Sequence, residues 1–384
     1  MLLGFYIDII NYKDVFQFYY IMIQGVYLLL VVVLIVLGIM QRLGFLKGIY
    51  HIVLSGIALA SVLVLRNVDF GVIDMIRYHI DYNDIKYVNN FWDALFFSNG
   101  KDPAYWGLTY IFFSCGLSYD VFVYSIALFD IIVYICYIKK YSPNYMLSNF
   151  VLLGTGCYTF MFYGLRQSIS LATILLCINA WYNKEIKKTI FFLVISFLFH
   201  WSAICIIPFL FVSRLKFSNI VTVGYLLSLF IFSLFSSQIG NQLALLFSEN
   251  YAIQNFEGRT MGGLAIMCFL FLFWYVFVFY KEINSNFKVR FFLHGLLFLC
   301  MIQFCSTLRY SFTRLNFYYM FGFMTITIPM SFDYKFFYKK MGEAGKVFSI
   351  CSTVVVLILL IYLFDIYIRG NRLGDYVFMW EDIK

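Results

Sequence analysis

Charge is the first thing this sequence has little of. Only 12% of its 384 residues are Asp, Glu, Lys or Arg, about half the ~25% of an ordinary soluble domain. A soluble enzyme could not cover a chain that is 63% hydrophobic and 22% aromatic, because its surface would have to hide more apolar area than a fold of this size can bury. The aromatic content also excludes intrinsic disorder, which goes with few aromatics and high net charge. Proline is scarce, with four residues, so the apolar runs continue unbroken. They do not alternate, which excludes an outer-membrane barrel. The four histidines, His51, His79, His200 and His294, form no HxxxH or HExxH pair, so neither a structural zinc site nor any other metal or cofactor is expected. The nine cysteines contain no CxxC pair. Most of them, such as Cys136, Cys177, Cys268, Cys300 and Cys351, sit within apolar runs and read as small core hydrophobes. No dense basic stretch interleaves with aromatics, so nucleic acid is not an expected partner.

What is present is apolar stretches of near-membrane length. They fall at roughly 18–40, 48–65, 119–138, 145–163, 167–183, 189–212, 217–236, 262–280, 291–307, 315–332 and 347–366, each about the ~20 residues that span a bilayer core. No basic n-region precedes the first run, so it is expected to remain as an anchor rather than be cleaved. Short loops rich in lysine (42–47, 139–140, 184–188, 214–216, 281–290 and 335–346) are expected in the cytoplasm under the positive-inside rule. Span parity then works only if 189–212 bends at His200 and returns to the side it left. The expectation is an all-α, polytopic integral membrane protein of about twelve passes, including a re-entrant helix pair. It is one domain, 1–384, with outside loops 66–103 and 237–261 and an interfacial helix near Asp102–Gly116. No internal repeat is visible, which weakens a transporter built on repeats.

The net charge of +8 divides into two populations. Lysine lies mostly in the inferred cytoplasmic loops. Arginine lies mostly opposite, at Arg66, Arg77, Arg166, Arg259, Arg309, Arg314, Arg369 and Arg372. Cations placed outside work against the insertion rule, so a competing requirement is implied, and arginine's planar fork suits phosphate. Arg166, Arg259 and Arg314 stand at the starts of returning helices, where the dipole disfavours a cation by roughly 0.3–1 kcal/mol. An anion held between each arginine and its helix end reverses that cost. The alternative for any one of them is snorkelling to headgroups.

His200 lies inside an apolar segment, SFLFHWSAICIIP. An intramembrane ionisable residue is a functional candidate by default, and histidine suits proton transfer near neutrality. The alternative is a hydrogen-bonded interhelical histidine beside Trp201. Asp130 lies mid-span and reads as structural. The outside carboxylates Asp69, Asp74, Asp81, Asp84, Asp93, Asp102, Glu249 and Glu257 show no DxD pairing and are expected to be mostly solvated. Aromatics such as Tyr158, Tyr163, Tyr310, Tyr318 and Tyr319 lie near the same outer face, as an interfacial belt or as stacking surfaces for sugar rings.

Residues 163–210 read YGLRQSISLATILLCINAWYNKEIKKTIFFLVISFLFHWSAICIIPFL. An Arg-Gln pair (Arg166, Gln167) opens a small-residue helix with Ser168 and Ala172. A lysine-rich turn (184–188) follows, then an apolar run ending in His200, Ala203 and Pro208. With the Arg-aromatic helix start RLNFYY at Arg314–Tyr319, this resembles the EpsG/Wzy-like family of polysaccharide polymerases. The early segment Gly71-Val-Ile-Asp74-xxx-Tyr78 carries one residue more than the family's Gly-x-Asp-xxx-Tyr spacing.

The resemblance implies a GT-C-like glycosyltransferase of the bacterial cytoplasmic (inner) membrane with its active site on the outer, periplasmic face. Donor and acceptor would be polyprenyl-diphosphate-linked oligosaccharides, joined by metal-independent inverting transfer of O-antigen or capsule type. Membrane lipid, a chain-length regulator and a flippase are the other expected partners. Arg166, Arg259, Arg309 and Arg314 are expected to hold the diphosphate, and His200 to act as base with Asp74 as a second candidate. Gln167, Tyr163 and Arg66 are expected to position the substrate. A lipid-linked oligosaccharide flippase, a membrane acyltransferase acting on polysaccharide, and a polysaccharide ligase remain open alternatives.

Overall fold

A computed structural model of the chain describes residues 25–68, 73–235, 262–308, 312–370 and 376–379, together with Gln238 and Leu373. Among the described residues all regular structure is helical apart from one isolated bridge, Arg66 with Phe378. In chain order the helices are α1 (Gly25–Arg42), α2 (Gly48–Val64), α3 (Ile73–Asp84), α4 (Phe91–Leu95), α5 (Pro103–Ser114), α6 (Tyr119–Tyr141), α7 (Tyr145–Gly154), α8 (Cys157–Phe160) and α9 (Leu165–Tyr182). Then come α10 (Ile186–Phe199), a 3-10 turn (Trp201–Ile206), α11 (Ile207–Val212) and α12 (Asn219–Leu234). Next among the described residues follow α13 (Gly262–Phe279), α14 (Phe287–Leu308), α15 (Thr313–Tyr319), a π segment (Met320–Met324), α16 (Thr325–Ser331) and α17 (Tyr334–Gly370). Among the described residues four stretches are long and apolar enough to cross a membrane, Gly25–Arg42, Tyr119–Tyr141, Phe287–Ser306 and Thr313–Gly370, and shorter apolar helices accompany them.

Local chemistry sets the ends of these helices. At α6, Ser118 accepts from the Val121 amide at 3.4 Å. Asp120 lies in its first turn and Lys139 and Lys140 in its last, the charge order that the helix dipole favours. Asn144 caps α7 in the same way, accepting from the Leu147 amide at 3.2 Å. The run expected as one span at 145–163 is broken after α7. Gly156 takes φ +76°, and a Cβ there would lie 2.7 Å from the Tyr367 ring. Helix α17 thus packs where only glycine leaves room. Gly342 (φ 64°, ψ −146°) divides α17 into a short lysine-bearing piece and a long apolar one.

Contacts between elements show which ends lie together. Lys140 Nζ donates to Asn179 Oδ1 at 2.8 Å, and Lys288 Nζ donates to the Tyr141 carbonyl at 2.7 Å. The Trp181 indole donates to Ser213 Oγ at 2.8 Å, and Arg214 Nη2 to the Trp181 carbonyl at 2.6 Å. Residues 213–214 therefore meet the end of α9 from which α10 departs. The chain leaves along α10, bends at His200, and returns along the 3-10 turn and α11. The lysine-rich turns on either side of that excursion share one end of the bundle.

The opposite end carries a built cap. Residues of α3, α4 and α5 form their own apolar cluster with the facing ends of α6 and α9, including Met75, Tyr82, Tyr105, Trp106, Phe122 and Leu165. The segment expected as an outside loop at 66–103 is thus largely helical and packed. The stretch Asp102–Gly116 that follows it, expected as an interfacial helix, does form a helix, α5. The main core spans α1, α2, α6, α7, α9, α14, α16 and α17.

Candidate active site

His200 sits where α10 stops. Its amide makes the last helical bond, to the Ser196 carbonyl at 2.9 Å. Its own backbone is extended (φ −161°, ψ 120°), and its carbonyl accepts from the Ala203 amide at 3.1 Å to open the 3-10 turn. A cluster of buried hydroxyls pins this bend. Ser170 Oγ meets Ser196 Oγ at 2.8 Å and Tyr318 Oη at 3.0 Å, and Ser202 Oγ meets Tyr318 Oη at 2.9 Å. Four elements (α9, α10, the 3-10 turn and α15) are thereby tied directly behind the histidine. A satisfied network of this kind fixes one arrangement of the core.

Asp102 faces His200 from the cap. Its backbone is left-handed (φ 55°, ψ 50°) and its side chain makes no capping bond, a conformation that Asp tolerates better than most residues. Pro103 begins α5 at the position where a missing N–H costs nothing. The Asp102 carbonyl takes the Tyr105 amide at 3.0 Å, which leaves the carboxylate to turn inward. Oδ2 lies 3.2 Å from Arg166 Nη1, and Oδ1 lies 3.3 Å from His200 Nδ1. The carboxylate is 8% exposed, against 20% for Arg166 and 16% for His200. This is the largest departure from the sequence reading, which grouped Asp102 with the solvated carboxylates. The Asp-Pro step did announce a helix start. The left-handed turn that frees the side chain from capping has no signature in sequence.

Arg166 is the second residue of α9, which begins at Leu165. Its guanidinium carbon lies 5.2 Å from the Tyr78 ring centroid and 5.6 Å from those of Tyr105 and Trp106, within cation–π range. An arginine is thus held among three rings, with one nitrogen on Asp102. Asp81, on the same cap, is near it. Burial pushes the Asp81 carboxyl above its ordinary value, and Arg166 and then Arg77 oppose that rise.

Arg314, the second residue of α15, places Nη2 4.0 Å from Asp74 Oδ2 on α3. Both side chains are partly exposed, so this pair is weak in itself. Gln167 joins the two arginine-bearing helices. Its Nε2 donates to the Arg314 carbonyl at 2.8 Å, and its buried Oε1 has no hydrogen-bond partner among the described residues. Arg166, Gln167, His200, Arg314 and Asp74 are therefore gathered at one end of the bundle. Tyr163 is half-buried between the two apolar clusters, edge-on to Phe160 at 5.2 Å.

Arg66 is placed differently from the rest. It is 5% exposed, its guanidinium carbon is 4.7 Å from the Phe162 ring, and its backbone pairs with the C-terminal segment. Asn67 N donates to the Val377 carbonyl at 2.7 Å, and Met379 N to the Leu65 carbonyl at 2.8 Å. Arg259 and Arg309 lie outside the described residues. Among the described residues no group of three or more His, Cys, Asp or Glu lies together in a way that could hold a metal.

This site joins a carboxylate–imidazole pair, a ring-stacked arginine and a second arginine at a helix start. It lies at one end of a polytopic helical membrane protein, the class that the fold and the site define together. The chain belongs to the EpsG family, whose family model matches residues 49–378. No curated protein and no solved structure matches it.

Proposed function

We propose that the protein is a polysaccharide polymerase that transfers a polyprenyl-diphosphate-linked glycan onto the next lipid-linked repeat unit. Family membership supports a polymerase-like role in polysaccharide synthesis. The observation that carries the finer reading is the Arg166–Asp102–His200 cluster.

In this reading, Asp102 engages His200 through Nδ1 and so sets the ring's tautomer and orientation, with Nε2 turned the other way. The acceptor hydroxyl oxygen attacks the anomeric carbon of the donor as its proton passes to Nε2. The bond from that carbon to the diphosphate oxygen breaks, and the configuration inverts. Negative charge then grows on the leaving diphosphate. Arg166 and Arg314, each in the first turn of a helix, hold it, and Arg259 and Arg309 join them. Fixed cations aimed at developing charge are the largest single source of such stabilisation, and removing one donor of this kind typically costs on the order of 10²–10³ in rate. In this reading the cations do the work at the leaving group without a metal. Asp74 orients Arg314 or a sugar hydroxyl, Gln167 and Tyr163 line the approach, and Arg66 steadies the wall behind them.

The same reading sets the protein in a bacterial inner membrane with about twelve passes, in a GT-C-like arrangement, with the cluster on the outer face. A flippase and a chain-length regulator would work beside it. The test is cellular. Arg166→Ala and His200→Ala proteins that reach the membrane at wild-type level should make no long polymer. Full-length polymer from either would refute the assignment.

A further inference from the structure

Next to the bend at His200 lies a cavity of ≈ 400 Å³. The first residues past the bend, Trp201, Ser202 and Cys205, form one wall, and Phe298, Ile302 and Cys305 of α14 form another. Phe312 and Leu315, which bracket Arg314 in sequence, complete the lining. The lining thus includes the residue that follows His200 and the residue that follows Arg314, although neither His200 nor Arg314 itself lines it.

Its chemistry is hydrocarbon. The wall has two side-chain hydroxyls, and both are already engaged: Ser202 Oγ with Tyr318 Oη at 2.9 Å, and Tyr319 Oη donating to the Cys205 carbonyl at 2.7 Å. A sugar placed here would exchange its water for groups that have no bonds to offer, which is costly. An alkyl or isoprenoid chain would not. The cavity also opens sideways. Ile204 and Phe232 of its lining are 53% and 38% exposed on the outer surface of the bundle, the surface that meets lipid in a membrane protein. Trp201 stands at this opening with its ring parallel to Phe197 at 5.8 Å.

We propose that this chamber seats the first isoprenoid units of the lipid carrier whose diphosphate is held at Arg166 and Arg314, the remainder of the chain passing out past α12 into the bilayer. The proposal rests on the lipid-diphosphate reading of the site. It adds a chain-recognition element separate from the sugar and the phosphates. Selectivity for an isoprenoid chain next to the diphosphate is then built into the protein and is not left to membrane partitioning alone.

The probe is a polyprenyl diphosphate, without sugar, carrying a diazirine on its second isoprene unit, applied to the full-length protein in nanodiscs. Labelling is expected at Trp201, Ile302 or Cys305, displaced by unlabelled polyprenyl diphosphate and not by phosphatidylglycerol. Labels scattered over outward-facing residues such as Phe211 and Phe273, or displaced equally by phospholipid, overturn the proposal.

A second measurement uses Ile302→Trp, which intrudes into the chamber from one wall. It should raise KM roughly tenfold for a polyprenyl-linked glycan donor, the scale of losing one or two buried methylenes, and leave the reaction of a donor whose diphosphate carries only a methyl group unchanged. Equal change on both donors overturns the chamber. Polymer synthesis is read separately on the same samples. Chamber labelling without polymer would sustain the chamber and refute the polymerase, whereas polymer with labelling elsewhere would do the reverse.

Discussion

Replacing Asp102 by Asn is the most informative single change. Asn is nearly isosteric and tolerates a left-handed backbone as Asp does, so the φ of 55° at this position is retained and the cap stays in register. What is lost is one negative charge between Arg166 and His200, at 3.2 and 3.3 Å. At 3.3 Å an effective dielectric near 20 gives about 5 kcal/mol between unit charges, an upper bound before solvent and relaxation are allowed for. Hydrogen bonds to charged groups measure ~1.5–3 kcal/mol, and each 1.36 kcal/mol on a barrier is a factor of ten in rate. Asp102→Asn should therefore lower kcat by roughly 10²-fold, since the carboxylate stabilises the imidazolium only as the proton is taken. KM for the donor should change far less. The assay is the initial rate of chain extension by purified protein in nanodiscs, normalised to monodisperse protein. A folded Asp102→Asn protein within threefold of wild-type kcat would refute the role given to the Asp102–His200 pair.

Other substitutions probe separate parts. Arg166→Lys keeps a charge but loses the fork and the packing among Tyr78, Tyr105 and Trp106, so extension should fall by on the order of 10²-fold, read in the same assay. Tyr318→Phe removes the hydroxyl that joins Ser170 to Ser202. It should cost about 1 kcal/mol of stability per bond and lower kcat more than donor affinity, checked by thermal unfolding beside the kinetics. Gly156→Ala puts a Cβ 2.7 Å from the Tyr367 ring at φ +76° and should destabilise the protein by ~1–3 kcal/mol, seen as a lowered melting temperature without a selective loss of kcat.

Much of this arrangement was legible in the sequence, because it rests on strong physical signals. Apolar runs marked the helices, and a histidine amid such a run, with loop charges that demanded an even number of crossings, marked the bend that His200 makes. Arginine at helix starts located Arg166 and Arg314. Features decided by three-dimensional packing were not legible. The run at 145–163 looked continuous, yet close approach of α17 requires the turn at Gly156. Asp102 looked like any exposed carboxylate because its burial depends on α5 docking beside the end of α10, a contact between residues about a hundred positions apart. Arg66 looked like another outer arginine, but its backbone pairs with the C-terminal segment, far along the chain, and its guanidinium lies against Phe162.

The central claim is that the Arg166–Asp102–His200 cluster transfers glycan between lipid diphosphates. Its most direct measurement is incubation of the purified protein with one polyprenyl-diphosphate-linked repeat unit, with and without chelator, and separation of the products by size. The account predicts a ladder of lipid-linked oligomers that survives the chelator and vanishes in His200→Ala. A ladder abolished by chelator would contradict the cation-based mechanism. No ladder from folded protein, with the repeat unit instead moved unchanged across a bilayer, would contradict the enzyme itself.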